Sequence, residues 1–251
     1  MTDSLINRRA ILTATTLAGV AVSTAGAGKA EAPRATFEPK PLPFDPSGIQ
    51  GLSEKLLVSH HDSYYLGAIK RLTAVENALA TLDPATSPTY VLNGHKREEL
   101  LACNAMILHE VYFASLGAPS KPSAQLARGL ENDFGSVDNW AAQFSAMGKA
   151  LSGAGWVVLA YNHRNSRLVN QWSGDLSMAL VGASPILALD MYEHSYAMDY
   201  GARAADYVDA YMKVINWPSA DVGYASALGM GPLAAYGRYD TPVGLKASVS
   251  F

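Results

Sequence analysis

The seven residues Asp190-Met191-Tyr192-Glu193-His194-Ser195-Tyr196 constrain this chain more than any other segment. They follow the apolar run Pro185-Ile186-Leu187-Ala188-Leu189, which reads as a short buried strand, and they lead into a Tyr-, Ala- and Asp-rich stretch that reads as a helix. A carboxylate at a strand end and an imidazole four residues on, at a helix start, can be aimed at one metal ion. The only cysteine in 251 residues is Cys103, which excludes an internal disulfide and any paired-cysteine metal or redox motif. A metal site here therefore has to use nitrogen and oxygen ligands, and six histidines are available to supply them. The net charge of −3 offers no basic footprint for nucleic acid or an acidic membrane.

Residues 1–32 read as an address rather than as fold. Asn7-Arg8-Arg9-Ala10-Ile11-Leu12 contains a twin arginine, Ile11 to Val22 is mildly apolar, and Ala30-Glu31-Ala32 is a small-x-small cleavage site. The stretch resembles a twin-arginine export signal, which predicts a periplasmic or secreted protein, soluble once the signal is removed. A prolyl lead-in follows, with Pro39, Pro41, Pro43 and Pro46.

Helical spacing runs from Ser53 to Leu82, through Leu56, Leu57, His60, Tyr64, Ile69, Leu72, Val75 and Leu79, and ends at Asp83-Pro84 and Ser87-Pro88. A second helix is expected from about Lys96 to Leu116, stopped by Gly117 and Pro119, so that the two make a helical hairpin. Ser123 to Phe134 and Val137 to Ser152 are helical, the second with Asp138 as cap. The period then changes. Gly155 to Tyr161, Leu168 to Trp172 and Ile186 to Leu189 read as a three-stranded antiparallel meander, with a turn over Asn162 to Ser166. Helical spacing resumes at Met191 and reaches Trp217-Pro218. The plan is α+β, with an export signal (1–32), a helical hairpin domain (33–120), an α+β domain (121–232) and a C-terminal tail (233–251). His163, in the hairpin turn, and His95, at a helix start, are expected at the surface.

Several segments together resemble the iron/manganese superoxide dismutase family. Asp190 to Tyr196 is similar to its D-x-W-E-H-x-Y signature. Leu52 to His60 matches its first helix, where a Ser-led turn precedes a histidine by seven residues. Asn104 to Phe113, continued by Leu116, resembles its N-H-x-x-F-W-x-x-L stretch, and Gly153-Ala154-Gly155-Trp156 its G-S-G-W. The resemblance spans roughly residues 42–217. It implies that His60, His109, Asp190 and His194 bind one Mn or Fe ion per subunit, and that the chain dismutates superoxide to dioxygen and hydrogen peroxide. It also implies a homodimer, with Glu193 reaching the histidine ligand of the other subunit and Tyr196 at the same interface. Trp156, Phe113 and Tyr192 would wall the site, and Tyr64 is the candidate catalytic proton relay. Taken singly, His109 reads as a core histidine and Asp190 as a helix cap. The order His, His, Asp-x-x-x-His is what makes the set specific. The helical apolar face and the match from Ser53 favour His60 over His61.

The departures fall around the ligands, where potential and proton supply are tuned. Ala68 stands where most of the family has a gateway Tyr, and Tyr64 where many have a His; Tyr64 and Tyr65 are the candidate substitutes. Tyr192 and Phe113 replace tryptophans. The Gln that hydrogen-bonds the metal's solvent is absent from both of its usual places, Ala105 and the neighbourhood of Gly174 to Leu176, with Gln171 nearby in the preceding strand. The alternative expectation is therefore an exported, dismutase-like metal protein with little or no turnover. A mononuclear iron oxygenase would need a pocket for an organic substrate, of which the sequence carries no sign.

Overall fold

The computed structural model describes residues 37–151 and 153–229. The export signal expected over 1–32 and the tail over 233–251 lie outside the described residues. The first helix starts where its spacing predicts. Ser53 Oγ accepts the Leu56 N–H at 3.1 Å, an N-cap that satisfies one of the helix's orphan donors. The cap is itself held, because the Asp199 carboxylate accepts the Ser53 N–H and O–H at 2.7 Å each.

Helix α1 (Glu54–Ser59) does not continue as the single helix expected to Leu82. A π-helical turn over His60–Tyr65 intervenes before α2 (Leu66–Thr81). In an unbroken α-helix Tyr64, four residues on, would share the face of His60. The wider turn puts Tyr65 inside instead and leaves Tyr64 45% exposed, while His60 is fully buried. Such turns concentrate at functional sites, and this one aims a histidine inward. Helix α3 (Thr89–Ala114) begins seven residues before the expected Lys96. Pro88, read in the sequence as a stop, is the N-cap of α3, where a missing N–H is no loss.

Helices α4 (Ala124–Phe134) and α5 (Val137–Ala150) follow, capped by Ser123 and Ser136. Ser136 Oγ accepts the Asn139 N–H at 3.0 Å, so Ser136 rather than Asp138 is the cap of α5. Strands β1 (Trp156–Asn162), β2 (Arg167–Ser173) and β3 (Ala183–Asp190) form an antiparallel sheet in the order β2-β1-β3. It is not a meander: β1 is central, which explains why its first six residues are buried without alternation. Trp156 pairs with Asp190, so the carboxylate lies at the sheet end beside the start of β1. The β1–β3 register slips between Leu159 and Ala160, next to Pro185, which has no N–H for the ladder.

Past the sheet come a 3₁₀ turn (Glu193–Ser195), α6 (Ala197–Tyr200), α7 (Ala204–Lys213) and α8 (Trp217–Gly229). Trp217-Pro218 opens a helix instead of ending one, since proline is well placed in a first turn. The end of α3 is knitted to the α7–α8 link. Gly117 N–H donates to Val214 O at 2.8 Å, Asn216 N–H donates to Ser115 O at 2.7 Å, and Leu116 bridges to Ile215. This stitching holds α3 across β3 and so fixes His109 over the sheet end. His163 is buried, not at the surface as expected. Its Nε2 lies 2.8 Å from Ser184 Oγ and its N–H donates to Gly182 O, so the hairpin turn folds back on β3. His95 lies inside α3 and is half-buried. No described helix is long and apolar enough to cross a membrane.

The turn into β1 depends on Gly155, which has φ +116°, and a Cβ there would stand 2.5 Å from Ser173 O. Gly155→Ala is expected to cost about 1–3 kcal/mol of stability, combining backbone strain with a backbone clash. Urea unfolding measures it; an unchanged midpoint would refute this account of the turn.

Candidate metal centre

Four side chains from four parts of the chain converge at the sheet end. His60 comes from the π-helical turn, His109 from α3, Asp190 from the last position of β3 and His194 from the 3₁₀ turn. Taking one ligand atom from each, all lie within 4.8 Å of one another. Asp190 Oδ2 is the hub, 3.2 Å from His60 Nε2, 3.2 Å from His194 Nε2 and 3.8 Å from His109 Nε2. The structure thus brings together all four residues expected from the sequence. His61 faces away: its Nε2 is 2.9 Å from Lys40 O and its Nδ1 2.8 Å from Asp62 Oδ1.

The surroundings set each group's protonation. Burial lowers the pKa of His109 to about 4, more than the nearby Asp190 charge raises it. Burial likewise lowers His60, against the opposing pull of Asp190. Burial alone would raise Asp190, but the His194 and His60 imidazoles outweigh it and hold the carboxyl below the usual range. Near neutral pH burial thus keeps the His60 and His109 imidazoles neutral beside an ionised Asp190 carboxylate, the protonation state a metal ion requires of such groups. Both of those imidazoles carry a bare nitrogen. His60 Nε2 and His109 Nε2 are buried and have no aligned hydrogen-bond partner. Their lone pairs, the Asp190 oxygen and the borderline-hard N/O set suit Mn or Fe.

Outer contacts aim the ligands. His109 Nδ1–H donates to Ala105 O at 2.6 Å, one turn back on α3, which leaves Nε2 free. Asp190 Oδ1 accepts the Tyr192 N–H at 2.8 Å, turning Oδ2 to the histidines. The Asp190 backbone carbonyl accepts from Ser195 Oγ and Tyr207 Oη, each at 2.8 Å. Sequence reasoning missed Ser195 and Tyr207 as anchors. Tyr207 lies 17 residues away on α7, and nothing in its local pattern marks it.

Aromatic rings close the site. His60 packs against Tyr112 and Phe113, with centroids at 4.9 and 5.1 Å, and Trp156 lies 5.3 Å from His109. His194 stacks with two near-parallel rings, Tyr64 at 3.7 Å and Tyr192 at 5.5 Å. Of the two tyrosines offered as gateway substitutes, Tyr64 reaches the cluster. Tyr65 turns away, its hydroxyl donating to Glu110 and accepting the Lys40 N–H, at 3.0 Å each. Ala68, Ala105 and Leu176 line a cleft of about 360 Å³ that reaches His109, His194 and Trp156. Gln171 takes no part there, because its amide is 3.3 Å from Met178 O.

Residues 122–222 match the family model of iron/manganese superoxide dismutases, C-terminal domain. The chain is 56% identical over 193 residues to a superoxide dismutase [Fe] of Cupriavidus metallidurans, covering 76% of this chain and 98% of that one. It is 34% identical over 195 residues to superoxide dismutase [Mn] 1 of Halobacterium salinarum, covering 72% and 91% respectively. With a superoxide dismutase [Mn] of Mycobacterium avium it shares 33% over 177 residues, 67% of this chain and 80% of that one.

Proposed function

The chain belongs to the iron/manganese superoxide dismutases, and from that membership we propose that His60, His109, Asp190 and His194 hold its metal and that Tyr64 handles protons at the entrance. The chain is a superoxide dismutase with one Mn or Fe site, converting two superoxide ions and two protons into dioxygen and hydrogen peroxide. The observation that carries the ligand assignment is the convergence of four ligand atoms within 4.8 Å, two of them buried imidazole nitrogens without partners.

A bound Mn or Fe ion supplies a one-electron couple between its trivalent and divalent states. The protein's own groups do the rest. One carboxylate charge against a di- or trivalent cation leaves the centre positive, which attracts an anionic substrate. Phe113, Trp156 and Tyr192 exclude bulk water, so that charge is poorly screened. Tyr64 spans the boundary, with its ring on His194 and nearly half its surface in solvent. Its hydroxyl can pass a proton inward and recover one from water.

Asp190→Asn removes the one negative charge from the set. Bound metal, measured by mass spectrometry on folded protein, is expected to fall to about a tenth or less of the wild-type content. Full metal content in this variant would sink the ligand assignment.

The assembly is a homodimer in which Glu193 reaches the other subunit. What supports this is the family's pattern and the exposure of Glu193 on the turn that carries His194. Tyr196 offers little surface to a partner, being 4% exposed and stacked on Tyr207. Sedimentation velocity should give a dimer for the wild type and a shift toward monomer for Glu193→Ala; a stable dimer in the variant would remove Glu193 from the interface. Export through Arg8-Arg9 makes the enzyme periplasmic or secreted. Replacing both arginines by lysine should leave full-length protein in the cytoplasm, and undiminished export would refute the signal.

A further inference from the structure

His109 and Asp190 are each aimed by an outer hydrogen bond, but His60 is not. Its Nδ1 is buried and has no hydrogen-bond partner among the described residues. The direction of this imidazole is therefore set by the rings packed on it and by its own backbone, at the first residue of the π-helical turn. A π turn is rare beside the α-helix that could replace it, so other contacts have to hold it. A network centred on Lys40 of the prolyl lead-in supplies them. Tyr65, the last residue of the turn and itself buried, accepts the Lys40 N–H and donates to Glu110 Oε1, at 3.0 Å each. His61 Nε2–H donates to Lys40 O at 2.9 Å, and the Lys40 ammonium pairs with Glu110. Lys40 stands between Pro39 and Pro41, which restrict its backbone to extended forms, and an extended residue presents its N–H and C=O to the same side. Leu42 and Phe44 then anchor this strap on the core.

The network joins the residue after His60 to the residue after His109, since His61 and Glu110 are both tied to Lys40. We propose that Lys40, Tyr65 and Glu110 are positioning residues for the metal site. They hold the π-helical turn in register against α3 and so fix the separation of His60 and His109, whose rings stand edge to face at 5.0 Å. Tyr65 is the main element, because it is buried and its hydroxyl is bonded twice, whereas the Lys40 ammonium is largely in solvent and its ion pair contributes little. Without the Tyr65 hydroxyl the turn relaxes toward an α-helix, which rotates His60 away from the point the other three ligands share. The inference rests on the ligand assignment above, but every contact in the network is made by this chain's own groups.

Mn(II) is the probe, with its Kd for the full chain measured by chelator competition and the bound ion examined by electron paramagnetic resonance. Tyr65→Phe keeps the ring and its packing, so the variant should fold, which circular dichroism checks. It should raise the Kd about tenfold and alter the resonance spectrum, which reports ligand geometry and which a loss of stability alone would not move. Glu110→Ala should do the same, whereas Glu110→Gln, which keeps an acceptor for the Tyr65 hydroxyl, should return close to the wild type in both. Because the groups act as a unit, Tyr65→Phe combined with Glu110→Ala should weaken metal no more than either change alone. In metal-free Tyr65→Phe the amides of residues 60–65 should exchange at least about tenfold faster than in the wild type. Ser136→Ala, which removes the cap of α5, a helix that carries no ligand, should lower stability and leave Kd, spectrum and this exchange unchanged. Wild-type Kd and spectrum in Tyr65→Phe would overturn the proposal and leave the ligand assignment standing, as would losses that simply multiply in the double variant. Failure of the wild type to bind Mn(II) or Fe(II) would overturn the ligand assignment and this inference with it.

Discussion

A carboxylate ionised in a dry interior is the interaction on which the rest of this structure depends. Asp190 has no exposed surface, and an isolated charge in such a place costs far more than a domain's whole stability margin. Three imidazoles and a backbone N–H stand round it, and its own carbonyl is anchored twice. The three imidazoles come from three different elements. The π-helical turn, the crossing of α3 over β3 and the 3₁₀ turn after β3 can all be understood as ways of delivering them.

The delivery is rigid where the chemistry requires it. The end of α3 is hydrogen-bonded to the α7–α8 link and Asp190 ends a strand paired to the buried β1, so neither His109 nor Asp190 can drift alone. His194 sits on a short turn with less backbone support, and there two aromatic rings hold it in place. Burial keeps the His60 and His109 imidazoles neutral, and the same burial would be unfavourable for the Asp190 carboxylate without its histidine neighbours. Ligand geometry and ligand protonation therefore have one cause, the exclusion of water by Tyr112, Phe113 and Trp156.

The residues that depart from the family's pattern have a shared consequence in space. Ala68 lies on α2, Ala105 on α3 and Leu176 in the loop after β2, yet all three line one cleft. Where larger polar side chains were expected from the resemblance, the structure has volume and an unpaired indole N–H. The sequence carried no sign of this cleft, because small residues on separate elements signal nothing until folding sets them face to face.

The sequence by itself picked out four candidate ligands: Asp190 and His194 stand out in consecutive residues, while His60 and His109 were singled out by the resemblance to the family, and the structure brings all four together. The α+β plan was legible because strand and helix periods are local. Only the tertiary structure decided the rest. It placed β1 at the centre of the sheet, buried His163, made Pro88 and Pro218 helix starts, and chose Tyr64 over Tyr65 for the site. Each of these depends on which surfaces lose water to one another. That is a property of the whole packed chain, whereas periodicity and capping depend on neighbours a few residues away.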